Sequence, residues 1–255
     1  MNKKQRHDPP DLWLALDTST PSMTIALFQK DRLLAESTSL SERNHSIRLV
    51  PAIRELLGSQ GMTAADLRGI CAGVGPGSYT GVRIGVTAAK TIAWTRSLPL
   101  VGVSSLETLA YGGLIADGGG SAQSGAWVIP MIDARRGYAY TAVYGYDCGE
   151  AGWHSLHKDG IRPLEQWLHE LFGGAENIPG KVLFVGDTAA FLPILHQLAE
   201  KGLPIGISRQ ALSAEYGGAI ALRKWIQGET EAPHHFNPNY TQLAEAEKKL
   251  LGVRK

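Results

Sequence analysis

The chain has 255 residues, of which 44% are hydrophobic and 19% charged, so it is large enough for one big globular domain or two ordinary ones. Its formal net charge of +1 predicts no global electrostatic attraction to nucleic acid or to an anionic membrane. The two cysteines, Cys71 and Cys148, match no metal-binding or redox spacing, which favours a reducing cytoplasm. Asp17 interrupts the N-terminal apolar run, so neither a signal peptide nor a membrane span is expected.

The first part of the chain predicts an α/β layer structure. The segments LWLALDTST, MTIALFQ and RLLAESTSL, separated by short polar turns, predict an antiparallel meander of three strands. Apolar residues then recur at helical spacing from a start that Ser41 or Asn44 can cap until Gly58. Strands and helices alternate beyond this helix, at 69–74, 80–96, 99–103 and 106–115. Such alternation is typical of parallel strands joined by crossover helices.

The second part of the chain repeats the opening pattern. A glycine- and serine-rich segment at 116–125 predicts an exposed linker near a domain boundary. After it comes an apolar strand that ends at Asp133, as the first strand ends at Asp17, and this indicates an internal duplication. Helices are predicted at 188–201 and 213–227, after the strand KVLFVGD. We therefore expect a tail at 1–11, two α/β units at 12–115 and 126–240, and a tail or helix at 241–255.

The glycine-rich segment GVGPGSYTGVRIG, residues 73–85, does not fit a phosphate-binding loop. It lacks the lysine and hydroxyl residue that follow the last glycine of a P-loop, and its glycines miss the dinucleotide spacing. We interpret Gly75, Pro76 and Gly77 as a structural turn before a helix. Small residues recur every fourth position in that helix, at Gly81, Gly85, Ala89 and Ala93. Such a stripe lets another helix or a sheet approach closely.

Other catalytic patterns are weak. Asp17, Thr18 and Ser19 at a strand end could hold a metal-bound nucleotide phosphate, as a vestigial site, or could simply form a turn. A helical metal site needs two histidines one turn apart, but His45 is followed four residues later by Leu49. A metallopeptidase of the glycoprotease type and a small actin-like ATPase remain the alternative enzyme hypotheses.

Several motifs together closely resemble the TsaB (YeaZ) family. They are LALDTSTPSMTIALF, NHSIRLVPAI, GVGPGSYTGVRIGVTAAKTIAW followed by VGVSSLETLA, and MIDARRGYAYTAVY, within residues 12–146. The resemblance implies two RNase H/actin-like (ASKHA) subdomains, each a mixed sheet flanked by helices. It also implies a non-catalytic protein, without a metal or cofactor of its own, that is needed to form N6-threonylcarbamoyladenosine in tRNAs reading codons that begin with adenine.

The resemblance further implies partners and an interface. The partners are the catalytic paralogue TsaD and the ATPase TsaE, and the protein alone is expected to form a homodimer. tRNA is expected to bind only through the complex. Binding of a nucleotide at the complex interface is left as an open alternative. TsaD carries paired metal-binding histidines on its first helix, whereas this chain has only His45. The family's interface helices map onto Leu49, Val50, Ile53, Arg83, Gly85, Val86, Ala89, Lys90 and Ala93. The same residues could instead pack onto their own sheet.

The end of the chain departs from the family. A Tyr-Leu-Arg tripeptide is usual there, whereas this chain has Tyr240, Thr241 and Gln242. Any charge contact that the arginine makes in the family is therefore not expected here.

Overall fold

A computed structural model describes residues 8–40, 44–118, 125–147, 152–173 and 178–241. Most of the predicted linker, most of the N-terminal tail and nearly all of the segment after Tyr240, including Gln242, lie outside these ranges.

The first sheet has five strands: β1 (Leu12–Asp17), β2 (Ser22–Gln29), β3 (Arg32–Leu40), β4 (Gly69–Gly73) and β5 (Leu100–Val103). Their spatial order is β3-β2-β1-β4-β5, in which β1, β2 and β3 form an antiparallel meander and β4 and β5 run parallel to β1. Helix α1 (His45–Ser59) connects β3 to β4, and helix α2 (Tyr79–Arg96) connects β4 to β5. These elements confirm the predicted meander and crossover helices.

The second sheet repeats this topology with strands β6 (Ala126–Asp133), β7 (Tyr138–Tyr146), β8 (Trp153–Pro163), β9 (Val182–Gly186) and β10 (Ile205–Ser208). Its order is β10-β9-β6-β7-β8, with an antiparallel β6-β7-β8 meander and parallel β9 and β10. Asp17 and Asp133 are each the last residue of the first strand of their sheet. The duplication and the two-subdomain RNase H/actin-like architecture predicted from the sequence are therefore confirmed.

Four further helices flank the sheets: α3 (Ser105–Ala116), α4 (Leu164–Gly173), α5 (Leu192–Glu200) and α6 (Ala214–Ile226). A short 3-10 turn, Ala189–Phe191, precedes α5, so that helix begins later than the predicted residue 188. The sequence did not predict β8, α4 or β10.

We call each five-stranded sheet, together with the helices that pack against it, a lobe. The two halves of the chain exchange one helix between the lobes. Helix α3 follows the first sheet in the chain but packs against β6, β7 and β9, and helix α6 packs against β1, β2, β4 and β5. Glycines make these contacts close, because a Cβ atom at Gly113 would collide with Val185 and one at Gly218 would collide with Phe28. The bounds 12–115 and 126–240 therefore stay a prediction, in which each unit contributes one helix to the sheet of the other.

Apart from its edge strand β3, the first sheet is buried on both faces. On one face α1 and α2 pack against the leucines and isoleucines of β1, β2 and β4. On the other face the Trp13 ring stacks on Phe28 at 4.2 Å and meets the edge of Trp225 from α6 at 4.6 Å. Burial on both faces explains why β1 reads as a continuous apolar run.

Candidate functional site

The predicted interface residues divide into a buried and an accessible group. Six lie inside this chain: Leu49, Ile53, Gly85, Val86, Ala89 and Ala93. Val50 is 55% exposed, Arg83 is exposed and Lys90 is partly exposed. Side chains that their own chain covers leave almost no surface to a partner. The six buried residues therefore pack within the chain, and the interface prediction now depends on Val50, Arg83 and Lys90.

The small-residue stripe of α2 faces the chain's own first sheet. A Cβ atom at Gly85 would lie 2.5 Å from Thr18 Oγ1 and 3.3 Å from Leu16 Cδ1. A Cβ atom at Gly81 would collide with the carbonyl oxygen of Thr18. The glycines therefore let α2 lie directly on β1 and on the turn that follows it, which is the alternative that the sequence left open.

The outer surfaces of α1 and α2 carry exposed apolar side chains. Ile47 is 69% exposed beside Val50 on α1, and on α2 Tyr79 is 52% and Trp94 63% exposed. Three partly buried residues recur every four positions along one flank of α2: Ile84, Ala88 and Ile92. We call the outer surface of α1 and α2 the α1–α2 face. Sequence reasoning missed Ile47, Tyr79 and Trp94, although their outward helical positions could have identified them.

Arg83 is held in place at one end of this face. Its Nε donates a hydrogen bond of 2.8 Å to the hydroxyl of Tyr240, and its guanidinium lies 3.9 Å from the centre of the Tyr79 ring. The hydrogen bond to Tyr240 is the main cause that raises the pKa of Arg83 above its ordinary value. The end of the described chain is thereby attached to the first turns of α2.

The turn after β1 binds its own chain. Asp17 is buried, with Oδ2 accepting 2.6 Å from Ser105 Oγ and Oδ1 accepting 2.7 Å from the Ser19 amide. Thr18 Oγ1 donates 2.7 Å to the Gly81 carbonyl. Burial raises the pKa of Asp17, and the hydrogen bonds from Ser105 and Ser19 oppose that shift. Asp17, Thr18 and Ser19 therefore join β1 to the starts of α2 and α3, as expected of a structural turn.

The segment Gly75, Pro76 and Gly77 forms the turn predicted from the sequence, between β4 and α2. Gly75 has a φ of +86°, which favours glycine, and a Cβ at Gly77 would collide with the carbonyl oxygen of Ser19. Ser78 then caps α2, since its Oγ accepts a hydrogen bond of 3.3 Å from the Gly81 amide. The glycines shape a close backbone contact.

His45, the histidine that has no second histidine one helical turn later, is buried at the start of α1. Its Nε2 lies 3.0 Å from the carbonyl oxygen of Thr20, and Leu49 one turn later is buried in the core. Within the described ranges, no group of three or more histidine, cysteine, aspartate or glutamate residues could hold a metal ion. Among the helices that the structure describes, none has both the length and the apolar character needed to cross a bilayer.

Asp159 on β8 joins the lobes, and sequence reasoning missed it. Its Oδ2 accepts hydrogen bonds from Ser104 Oγ at 2.6 Å and Asn239 Nδ2 at 3.1 Å, and its Oδ1 accepts one from the Tyr144 hydroxyl at 2.9 Å. Burial raises the pKa of Asp159, against these three hydrogen bonds. Ser104 caps α3 and Asn239 follows α6, so one carboxylate fixes three separate segments.

Comparisons with known proteins agree with this architecture. A family model described as "TsaD: tRNA N6-adenosine threonylcarbamoyltransferase" matches residues 34–246. The chain is 38% identical to the tRNA threonylcarbamoyladenosine biosynthesis protein TsaB of Bacillus subtilis, over 95% of this chain and 99% of that protein. It is 33% identical to the Escherichia coli protein of the same name, over 94% and 98%. The solved structure of YeaZ from Pseudomonas aeruginosa has the same fold, with a TM-score of 0.68 at 24% identity over 90% and 99% of the two chains.

Proposed function

The chain belongs to the TsaB (YeaZ) family, and on that premise we propose that it is a non-catalytic subunit required to form N6-threonylcarbamoyladenosine in tRNA. The tRNAs that are modified are those reading codons that begin with adenine, and the chain scaffolds or activates TsaD, which transfers the threonylcarbamoyl group. TsaE joins this cytoplasmic complex transiently, tRNA is bound only through the complex, and a nucleotide can sit at the complex interface. Alone, the protein forms a homodimer.

The exposed apolar side chains of the α1–α2 face are the observation that carries this proposal. Ile47 and Val50 are apolar and more than half exposed. A partner that covers this surface would bury both side chains. Fully burying such a side chain stabilises a complex by about 1.5–3 kcal/mol relative to leaving it in water. An apolar surface with basic residues beside it is typical of a protein interaction site.

An actin-like ATPase would need the turn at Asp17 to bind a nucleotide phosphate. The hydrogen bonds of Asp17 instead support a structural role for this turn. Both carboxylate oxygens accept hydrogen bonds from Ser105 and Ser19, within 2.7 Å. A carboxylate that already holds two elements of its own chain together is poorly placed to orient a nucleotide phosphate as well.

Association with purified TsaD tests the interface. Ile47→Asp with Val50→Asp places two charges where the proposal buries apolar groups, so we expect binding to TsaD to weaken at least about a hundredfold. Gln197→Asp, an exposed position on the other lobe, is the matched control and should leave binding unchanged. Calorimetry gives the affinities, and circular dichroism checks that each variant is folded. Unchanged binding of the double variant would refute the interface.

Activity assays test the non-catalytic role. TsaD, threonylcarbamoyl adenylate and tRNA should yield modified adenosine only when this chain is added. The isolated chain should hydrolyse neither ATP nor peptides. Turnover by the isolated chain, lost on Asp17→Ala in a variant that stays folded, would replace the proposal with an enzymatic function.

A further inference from the structure

We infer that the α1–α2 face is built for a partner with an acidic rim, so that charge favours an unlike protein over a second copy of this chain. The inference rests on the proposed function, because it concerns the chemistry of the partner that occupies the same face. It goes beyond that function by giving a physical rule for the choice between homodimer and heterodimer.

The charges of the two helices are strongly one-sided. Helix α2 has no aspartate or glutamate over its 18 residues, and Glu55 is the one carboxylate in α1. Besides Arg96, whose guanidinium donates a hydrogen bond to the Ala65 carbonyl, four basic residues lie on the accessible parts of the two helices: Arg48, Arg54, Arg83 and Lys90. Among the residues that the structure describes, none of these four side chains forms a salt bridge. Their charge is therefore available to a partner.

The geometry of these residues places the charge around the apolar positions. Arg54 follows Ile47 by seven residues and Val50 by four, so it lies on the same side of α1. Lys90 follows Arg83 by seven residues and lies on the same side of α2. A partner that covers Ile47 and Val50 would therefore approach Arg54, and one that extends over the exposed side of α2 would also approach Arg83 and Lys90.

The helix ends add to the positive potential. Both helices begin at the turn between β1 and β2, because His45 Nε2 is 3.0 Å from the Thr20 carbonyl and the Ser78 amide donates 2.7 Å to the Ser19 carbonyl. Each N-terminus carries about half a positive charge from the aligned peptide dipoles. Neither helix has an acidic residue in its first turn to compensate.

Symmetry makes this charge unfavourable for self-association. In a two-fold dimer the same patch lies on both sides of the interface, so a basic rim meets a basic rim. Like charges across an interface oppose association, and salt reduces that repulsion. A partner with carboxylates around an apolar centre would be attracted instead, and salt would weaken its binding. The two complexes should therefore respond to salt in opposite directions.

Affinity measurements at two salt concentrations test the inference. We expect the complex with TsaD to weaken about tenfold between about 50 mM and 500 mM NaCl, as screened rim pairs would. Self-association, measured by analytical ultracentrifugation of the full chain, should strengthen over the same range. A homodimer that weakens with salt, or a TsaD complex that does not, would overturn the inference.

Neutral variants give a second test that a folding defect would not imitate. Arg54→Gln with Lys90→Gln should weaken TsaD binding about tenfold and strengthen self-association, whereas Lys201→Gln on the other lobe should change neither. Equal effects on both complexes, or no self-association in the neutral variant at any salt, would overturn the inference. Absence of TsaD binding at both salt concentrations would instead refute the proposed function.

Discussion

Replacing Asp159 by alanine tests whether one carboxylate holds the two lobes together. The substitution removes hydrogen bonds from Ser104, Tyr144 and Asn239, all within 3.1 Å. Each hydrogen bond to an ionised group contributes about 1.5–3 kcal/mol, and relief of the buried charge offsets part of the loss. We expect a net loss of about 3 kcal/mol, or about 6 to 12 °C in the melting temperature for a chain of this size.

Urea denaturation followed by tryptophan fluorescence measures this loss. Ser155→Ala, at an exposed position on the same strand, is the control and should change stability by less than about 0.5 kcal/mol. Asp159→Asn, which keeps an acceptor oxygen, should fall between the two. Loss of less than about 0.5 kcal/mol in Asp159→Ala would show that the three hydrogen bonds do not stabilise the arrangement of the lobes.

Three further predictions concern buried positions. Gly85→Leu should cost about 3 kcal/mol of stability, since even a Cβ lies 2.5 Å from Thr18 Oγ1, and Thr87→Leu on the exposed side of α2 should not; thermal melts of both variants decide this. Burial raises the pKa of Asp17, so the folded state holds that proton more tightly and ionisation opposes folding. The stability of Asp17→Asn relative to the natural chain should therefore rise as pH increases above about 4, and a difference that stays constant in urea titrations would contradict this. Burial also raises the pKa of Cys71 to about 12, so iodoacetamide at about pH 8 should alkylate Cys71 about a thousandfold more slowly than an unfolded thiol; peptide mass spectrometry measures the rate, and comparable rates in the folded and unfolded chains would contradict it.

The sequence predicted the elements whose burial follows one regular period. β1, β2, α1 and α2 each have a continuous or periodic apolar pattern that ends at a polar turn or a glycine. β8 does not, because it is an edge strand of mostly polar residues whose pairing with β7 shifts register near Val143. Its sequence, WHSLHKDGIRP, therefore shows no alternation that could have predicted a strand.

The interface on α1 and α2 stays a prediction, and the sequence did not distinguish the buried side of each helix from the accessible one. Helical spacing shows that one side of α2 is smooth, but it does not say whether a partner or the chain's own sheet lies against it. Gly85 and Ala89 pack inward, and Arg83 remains accessible. Asp159 was missed for a different reason, since its hydrogen-bond partners are far away in the sequence and no local pattern indicates them.

The exchange of α3 and α6 between the lobes limits how the protein can be divided. A fragment with only the first five strands would expose Trp13 and Phe28, because the helix that covers them comes from residues 214–226. A fragment with the second sheet alone would likewise lack α3. Neither half could be expressed as an independent module, and a chain nicked between the lobes should remain assembled as a complementing pair until both halves denature together.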